Sequence, residues 1–365
     1  MAVAQTSSLN SHPFYNINSY TPMSADSCIY RSLREAVPII DSAVNKIIRL
    51  MGGFSFVTGS SIVDEEMNKF FESIDVGGNQ LGIQAFVDNY MDQLLTYGTA
   101  VGEMLADENG FYALYNGELS VLDVKRKAGS IELEFFNTAS GTPVAIAHPE
   151  RILFSVINPE AGKILGTSLL RGLPFVSDIM LKIFNSIGTN WERLGNLRYA
   201  VTYKPQSDGT DGAFAKERAN QMASAWKEAM SSKDSVKDFV AVGDVKVSVI
   251  GADNQVLDSE VPVRQMLEQI IAKTGLMPYM FGISWSTTER MSQQQADVLT
   301  TELESYRRAI TPILKKIGRA YLLANGLALP VDIKWDDITL QDSTELAHAR
   351  LYNAEADKLE REAEI

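Results

Sequence analysis

The chain has 365 residues, 45% of them hydrophobic and 22% charged, enough for a sizeable core and two or three structural units. One cysteine, Cys28, excludes an intramolecular disulfide and reads as an ordinary thiol in a reducing cytoplasm, and three histidines, His12, His148 and His348, exclude a His-rich metal site. With 46 acidic against 33 basic side chains the net charge is −13, which opposes tight binding of phosphates and leaves DNA only as a passing cargo.

Residues 1–26 are polar and lack the charged start, short apolar run and small-residue cleavage site of a signal peptide, so they read as a flexible or docking arm. From Ile29 the apolar positions Leu33, Val37, Ile40, Val44, Ile47 and Met51 are spaced by three and four up to Gly52-Gly53, which predicts one amphipathic helix. A strand at Phe54 to Val57 and a helix over about Val63 to Ser73 follow. A third helix, with Phe86, Tyr90, Leu94 and Leu95 on one face, is expected to stop at Gly98. From Val101 to Phe154 short alternating runs separated by Asn109-Gly110 and Asn116-Gly117 predict an antiparallel meander, within which Ser130 to Phe136 and Thr142 to Ala147 pair around Gly141.

Thr167 to Leu194 reads as one long helix, with Leu169, Leu173, Val176, Met180, Ile183, Ile187, Trp191 and Leu194 on a stripe that Phe175, Ile179, Leu181 and Phe184 widen. A helix so broadly apolar must be covered on several sides, either as a central core helix or by neighbouring subunits. Arg171, Pro174, Asp178 and Lys182 argue against a membrane span. A small α/β insert comes next: a strand at Leu197 to Tyr203, a turn at Ser207 to Gly212, and a helix carrying Phe214, Met222, Trp226 and Met230. Strands at Asp238 to Val242 and Val245 to Ile250, meeting at Gly243-Asp244, close it.

The returning helix is expected to be capped by Asp258 or Ser259, to carry Pro262 in its first turn and to end at Gly275. A connector, Leu276 to Glu289, leads to the longest helix, about Met291 to Ala324, which Pro312 should kink or restart near Thr311. A short strand near Val331 to Trp335, an acidic turn and a charged helix over about Thr344 to Ala363 complete the chain; that last helix reads as a solvated face, with partner docking second.

Catalytic constellations do not emerge. Gly162-Lys163 lacks the flanking residues of a phosphate loop, and Gly77-Gly78 lacks the strand-to-helix context of a dinucleotide site. Gly282-Ile283-Ser284-Trp285-Ser286 ends in Ser where a nucleophile elbow needs Gly. Glu345 and His348 have the spacing found in di-iron bundles but not the second copy such a site requires. Asp332, Asp336, Asp337 and Asp342 could hold a divalent cation by their carboxylates, although a solvated acidic turn accounts for them better. No cofactor, metal site or catalytic residue is therefore expected, and no enzyme.

The order of elements resembles the portal proteins of tailed phages: a mixed α+β front, a long helix, a small α/β insert, a returning helix, a connector and a kinked long helix. Gly166-Thr167-Ser168-Leu169-Leu170 looks like that family's Gly-x-Ser-x-Leu lead into its first long helix. Ile270 to Gly275 followed by Leu276-Met277-Pro278 and Met280-Phe281-Gly282 is similar to its apolar helix end, proline and Phe-Gly step. Gln293-Gln294-Gln295 and Ile310-Thr311-Pro312 match the polar start and the Pro-marked kink of its long helix. Leu94 to Ala100 sits where the family carries a Gly-Asn-Ala-like step, with Thr99 here in place of Asn. The likeness spans roughly Ile29 to Leu340 and rests on order and spacing.

That resemblance implies an α+β, portal-like fold with an arm at 1–26, a wing at 27–164, a stem helix at 165–195, a clip at 196–257, a second stem helix at 258–275, a tunnel loop at 276–290, a long helix at 291–326 and a crown-like segment at 327–365. It further implies a homo-oligomeric ring of about twelve subunits at one capsid vertex of the virion, assembled in the host cytoplasm. Double-stranded DNA would pass through it non-specifically. The partners would be the terminase large subunit, the major capsid or scaffold protein and a head-tail adaptor, with no membrane. Another ring-forming or scaffolding phage structural protein is the alternative.

The expected lumen-facing residues are Ser284, Trp285, Ser286, Thr287, Thr288, Arg290, Gln293 and Gln294: polar side chains for weak contact, with Arg290 for occasional phosphate contact. An exposed interhelical loop is the plainer reading of the same stretch. Twelve copies at −13 each would put about 156 negative charges on the ring, a wall that repels phosphates and lets DNA slide.

Overall fold

A computed structural model describes residues 27–107, 110–195, 198–203, 245–250, 259–283 and 289–338, with a few helical positions between 216 and 224. The single helix expected from Ile29 to Met51 is in fact two, α1 (Ser27–Ala36) and α2 (Pro38–Leu50). Pro38 is the cause. Its ring pushes the preceding residue out of the helical region, so Val37 is extended at φ −125° and ψ 90°, while Pro38 itself occupies the first turn, where no amide donor is missed.

The strand β1 (Phe54–Val57), the helix α3 (Ser61–Ser73), the short strands β2 (Asp75–Val76) and β3 (Gln80–Leu81) and the helix α4 (Ile83–Tyr97) follow. Gly98 closes α4 in the left-handed region at φ +77°, where residues with a side chain are strained.

The simple meander expected between 101 and 154 is not what forms. β4 (Thr99–Asp107) and β5 (Gly110–Asn116) make a hairpin, but β6 (Leu122–Arg126), β7 (Leu133–Asn137) and β8 (Val144–Ala145) leave to build their own antiparallel sheet. β9 (Ile152–Val156) then returns beside β4, giving a five-stranded sheet in the order β3-β2-β5-β4-β9 with β2 and β5 parallel. The first four residues of β4 are all buried. A strand covered on both faces belongs in the middle of a sheet, with a neighbour on each edge. The expected β7–β8 pair does form, with Phe136 opposite Ala145.

α5 (Leu173–Gly195) begins six residues later than the apolar pattern suggested. Gly172 sits at φ +91° and Pro174 belongs in a first turn, so 167–172 forms a turn and not helix. β10 (Arg198–Tyr203) pairs antiparallel with β11 (Val245–Ile250); of the rest of the expected insert only the helical positions between 216 and 224 are described, and 238–242 lies outside the described residues.

α6 (Glu260–Thr274) ends at Gly275 as expected, and α7 (Glu289–Ala324) runs unbroken through Pro312. It does not restart at Thr311. Pro312 and Arg308 lie on the exposed side, so the Arg308 carbonyl that loses its intrahelical donor faces water. β12 (Asp332–Trp335) pairs antiparallel with β1, far back in the chain. The charged segment at Thr344 to Ala363 is outside the described residues.

The chain divides into two compact units, 1–179 with 265–365 and 180–264. In the first, α4 is the hub: Phe86, Tyr90, Met91, Leu94 and Leu95 are buried against α2, α3 and β4. An aromatic cluster joins β1, α3 and α7, with Phe56 4.6 Å from Phe71 and Phe70 4.8 Å from Tyr321 between ring centres. α7 can approach this closely because Gly318 has no Cβ; one would sit 2.8 Å from both Met67 and Val331.

Candidate channel-facing site

α6 delivers the chain to the connector through Thr274, whose hydroxyl donates to the Ile271 carbonyl at 3.0 Å, and Gly275 turns it at φ +70°. Leu276 and Met277 are buried and hold the start of the connector down. A 3₁₀ turn over Pro278–Phe281 follows and closes on Gly282 at φ +73°. Of the expected lumen-facing residues, Ser284, Trp285, Ser286, Thr287 and Thr288 lie outside the described residues. Arg290, Gln293 and Gln294 fall in the first turns of α7, and Gln294 is exposed. Two residues on, Ala296 is buried, followed by Leu299 and Leu303.

Two of the stretches that carried the portal resemblance meet in space. The Gly166–Leu170 turn is laced to the end of α4: the Ser168 hydroxyl donates to the Thr96 carbonyl at 2.6 Å, the Gly166 amide to the Thr99 hydroxyl at 3.0 Å and the Leu169 amide to the Leu95 carbonyl at 3.1 Å. The Ile157 amide donates to the Gly98 carbonyl at 2.9 Å, and Ile157 in turn accepts from Thr167 at 2.8 Å. A Cβ on Gly166 would fall 1.9 Å from the Gly98 carbonyl oxygen, and one on Gly98 would fall 2.4 Å from the Thr167 carbonyl carbon. Both glycines are therefore demanded by backbone approach, and Thr99 supplies the oxygen that caps Gly166. This corner fixes where α5 starts.

Sequence reasoning missed a second fixing point. Arg307 continues the α7 stripe of Leu299, Leu303, Ile310, Leu314 and Ile317, and it is only 7% exposed. Its Nε donates to the Met51 carbonyl at 2.9 Å, its Nη2 reaches the same oxygen, and its guanidinium lies 5.0 Å from the Trp335 ring centre. Burial draws its pKa down, while Asp336, Glu304 and Asp337 oppose that and support the charge. Trp335 Nε1 donates to the Thr311 hydroxyl at 3.2 Å. One side chain thus ties α7 to the end of α2 and to β12. The signal was present: a charge at a position of the apolar stripe.

Arg34 plays the same part nearer the front of the chain. It binds Asp41 at 2.8 Å, Asp92 at 2.7 Å and the Thr96 hydroxyl at 2.8 Å, joining α1 to α2 and α4. Burial lowers its pKa, but Asp92 and Asp41 outweigh that and leave it raised.

Of the acidic cluster near the end, Asp332 pairs with Lys315 at 2.5 Å, Asp336 faces Arg307, and Asp342 lies outside the described residues, as do Glu345 and His348. No group of three or more His, Cys, Asp or Glu among the described residues is placed to hold a metal ion. No described helix is long and apolar enough to cross a membrane.

The architecture defined by these elements is α+β, in two units of which the first has an α4-centred core. In fold the chain is similar to a component of a gene transfer agent particle. A chain from the virion of the native particle superposes with a TM-score of 0.66 over 94% of both chains at 15% identity. A chain from the neck of the native particle, in twelve-fold symmetry, gives 0.60 over 88% of this chain and 89% of that one at 14% identity. A portal protein of the HK97 phage family from Corynebacterium diphtheriae aligns over 87% of this chain and 96% of that one at 12% identity, with a TM-score of 0.43. No family model and no curated protein matches the chain. The α+β fold expected from the sequence is the fold the structure shows.

Proposed function

We propose that this chain is the portal subunit of a phage or phage-like particle, a non-catalytic ring through which double-stranded DNA enters and leaves the capsid. The observation that carries this reading is the match of nearly the whole chain, 94%, to a chain of a virion, joined by the twelve-fold neck. The structure adds a physical reason for oligomerisation. On α5, Leu181, Phe184 and Trp191 are 36%, 45% and 68% exposed, a stripe that an isolated chain leaves in water and a ring neighbour would cover.

In this reading 165–195 and 258–275 are the stem, 196–257 is the clip and docks the terminase large subunit and later the head-tail adaptor, and 27–164 is the wing that faces capsid or scaffold protein. Residues 276–290 form the tunnel loop, where Ser284 to Thr288 with Arg290, Gln293 and Gln294 face the lumen. The net charge of −13 per subunit keeps phosphates from sticking to the wall. The subunit works at one capsid vertex and assembles in the host cytoplasm.

Class-averaged negative-stain electron microscopy of the purified protein tests the ring. Symmetric rings with a hole wide enough for duplex DNA are expected, and compact monomers or dimers at assembling concentrations would overturn the proposal. The tunnel assignment is tested separately: changing Trp285 and Arg290 to Ala should impair packaging or retention of DNA while rings still form, and normal packaging would refute it.

A further inference from the structure

One face of α7 gathers positive charge in a chain whose net charge is −13. Arg308, Thr311, Pro312, Lys315 and Arg319 line a shallow cleft of about 350 Å³. Pro312 and Arg319 also border a groove of about 540 Å³ between α7 and the β4–β5 hairpin. That groove is lined by the apolar Met104, Phe111, Ala320 and Leu323 and by the cations Arg151, Lys316 and Arg319, with Glu150 the one carboxylate among the described lining residues. Leu323 is 74% exposed.

Several of these cations are already engaged: Lys316 donates to the Ile152 carbonyl at 2.7 Å, Arg151 to the Ala106 carbonyl at 3.2 Å, and Lys315 pairs with Asp332 at 2.5 Å. Arg308 and Arg319 are exposed and have no partner among the described residues.

The combination selects its occupant. A duplex backbone offers phosphates but no group to cover apolar lining residues, whereas an acidic peptide with aliphatic or aromatic anchors satisfies the cations and the apolar residues together. The chain itself carries such a segment. Residues 341–365 hold seven carboxylates against three cations, with Leu351, Tyr352 and Leu359 as anchors. The chain also leaves the described structure beside the adjoining cleft: Asp332 of β12 pairs with Lys315, and Trp335 at the end of β12 donates to the Thr311 hydroxyl, both of which line that cleft. The 27 residues after Ile338 span about 40 Å even if helical, and the length of α7 from Arg308 to Leu323 is only about 22 Å.

We infer that the cation-lined groove between α7 and the β4–β5 hairpin is the docking site of the acidic C-terminal segment 341–365, from the same subunit or from its neighbour in the assembly. It acts as a clasp whose strength falls with salt. The inference stands on this chain's own charges and does not require the portal reading.

The test uses the full-length chain carrying Cys28→Ser, with Leu323→Cys combined in turn with Leu351→Cys and Leu359→Cys, and a short bis-maleimide crosslinker. Crosslinked peptides joining 323 to the segment are expected. A band at monomer size assigns the segment to the same subunit, and a dimer or ladder assigns it to the neighbour. Adding Lys316→Glu with Arg319→Glu, or Arg308→Glu alone, should lower the yield at least fivefold while circular dichroism shows an unchanged fold. Absence of the crosslink from both pairs, or a yield indifferent to charge reversal and to salt, would overturn the inference. So would the case in which no crosslink forms but a duplex oligonucleotide protects Leu323→Cys from alkylation, since the face would then be a phosphate contact.

Discussion

α4 and α5 are both apolar helices, yet the chain treats them differently. On α4, Phe86, Leu94 and Leu95 are 0% exposed, enclosed by α2, α3 and β4. α5 starts the same way, with Leu173 at 2% and Met180 at 3%, but farther along Phe184 and Trp191 are 45% and 68% exposed. Apolar pattern alone says that a helix must be covered; it does not say by whom. α4 is covered within the chain. Along the second half of α5 apolar side chains stay exposed among the described residues, and in the proposed ring a neighbour covers them.

The largest effect should come from the corner between them. Gly166→Ala places a methyl 1.9 Å from the Gly98 carbonyl oxygen and breaks the interlock from which α5 starts, so a loss of about 3 kcal/mol or more is expected, read as a sharply lowered melting temperature or insolubility. Wild-type melting would show that the backbones can separate cheaply.

The comparison itself is sharpened by truncating each helix. Leu94→Ala should cost about 2–5 kcal/mol in denaturant melts and leave any surviving protein able to assemble. Phe184→Ala with Trp191→Ala should leave the monomer's stability nearly unchanged, within about 1 kcal/mol, and abolish rings in light-scattering chromatography. Equal destabilisation by both would mean that α5 is a core helix of the single chain.

Smaller again is the Arg307 tie. Arg307→Met keeps the bulk but leaves the Met51 carbonyl without its donor, at a cost of about 1–3 kcal/mol, measured by urea titration.

The smallest effect is alkaline. Burial pushes the Tyr306 hydroxyl up to about 12, with Glu302 adding to it, and burial also raises Tyr90. The folded state therefore holds these protons more tightly than the unfolded chain, whose tyrosines titrate near pH ~10. Their stabilisation is complete below about pH 10 and lost as the pH climbs through about 12. Tyr306→Phe should flatten that limb of the stability curve.

Much of this was written in the sequence, because local geometry is a local matter. Gly98 and Gly275 end their helices by adopting positive φ, and β1, α3, α4, α6 and β12 lie where spacing put them, within a few residues. Pro38 splits a helix for an equally local reason that the apolar spacing masked. The glycines at 98 and 166 could be noticed as a motif, but their purpose could not be seen, since the oxygen that excludes a side chain at 166 belongs to a residue far back in the chain.

The sequence by itself determined the α+β class, the helix ends, the acidic balance and the breadth of the α5 stripe. Tertiary structure alone decided that β9 returns to β4, that β12 pairs with β1, that Arg307 closes on Met51 and that part of α5 is left uncovered among the described residues. The physical reason is the same in each case: propensity and periodicity are carried by neighbouring residues, whereas strand partners, buried ion contacts and exposure depend on which distant surfaces the folded chain brings together.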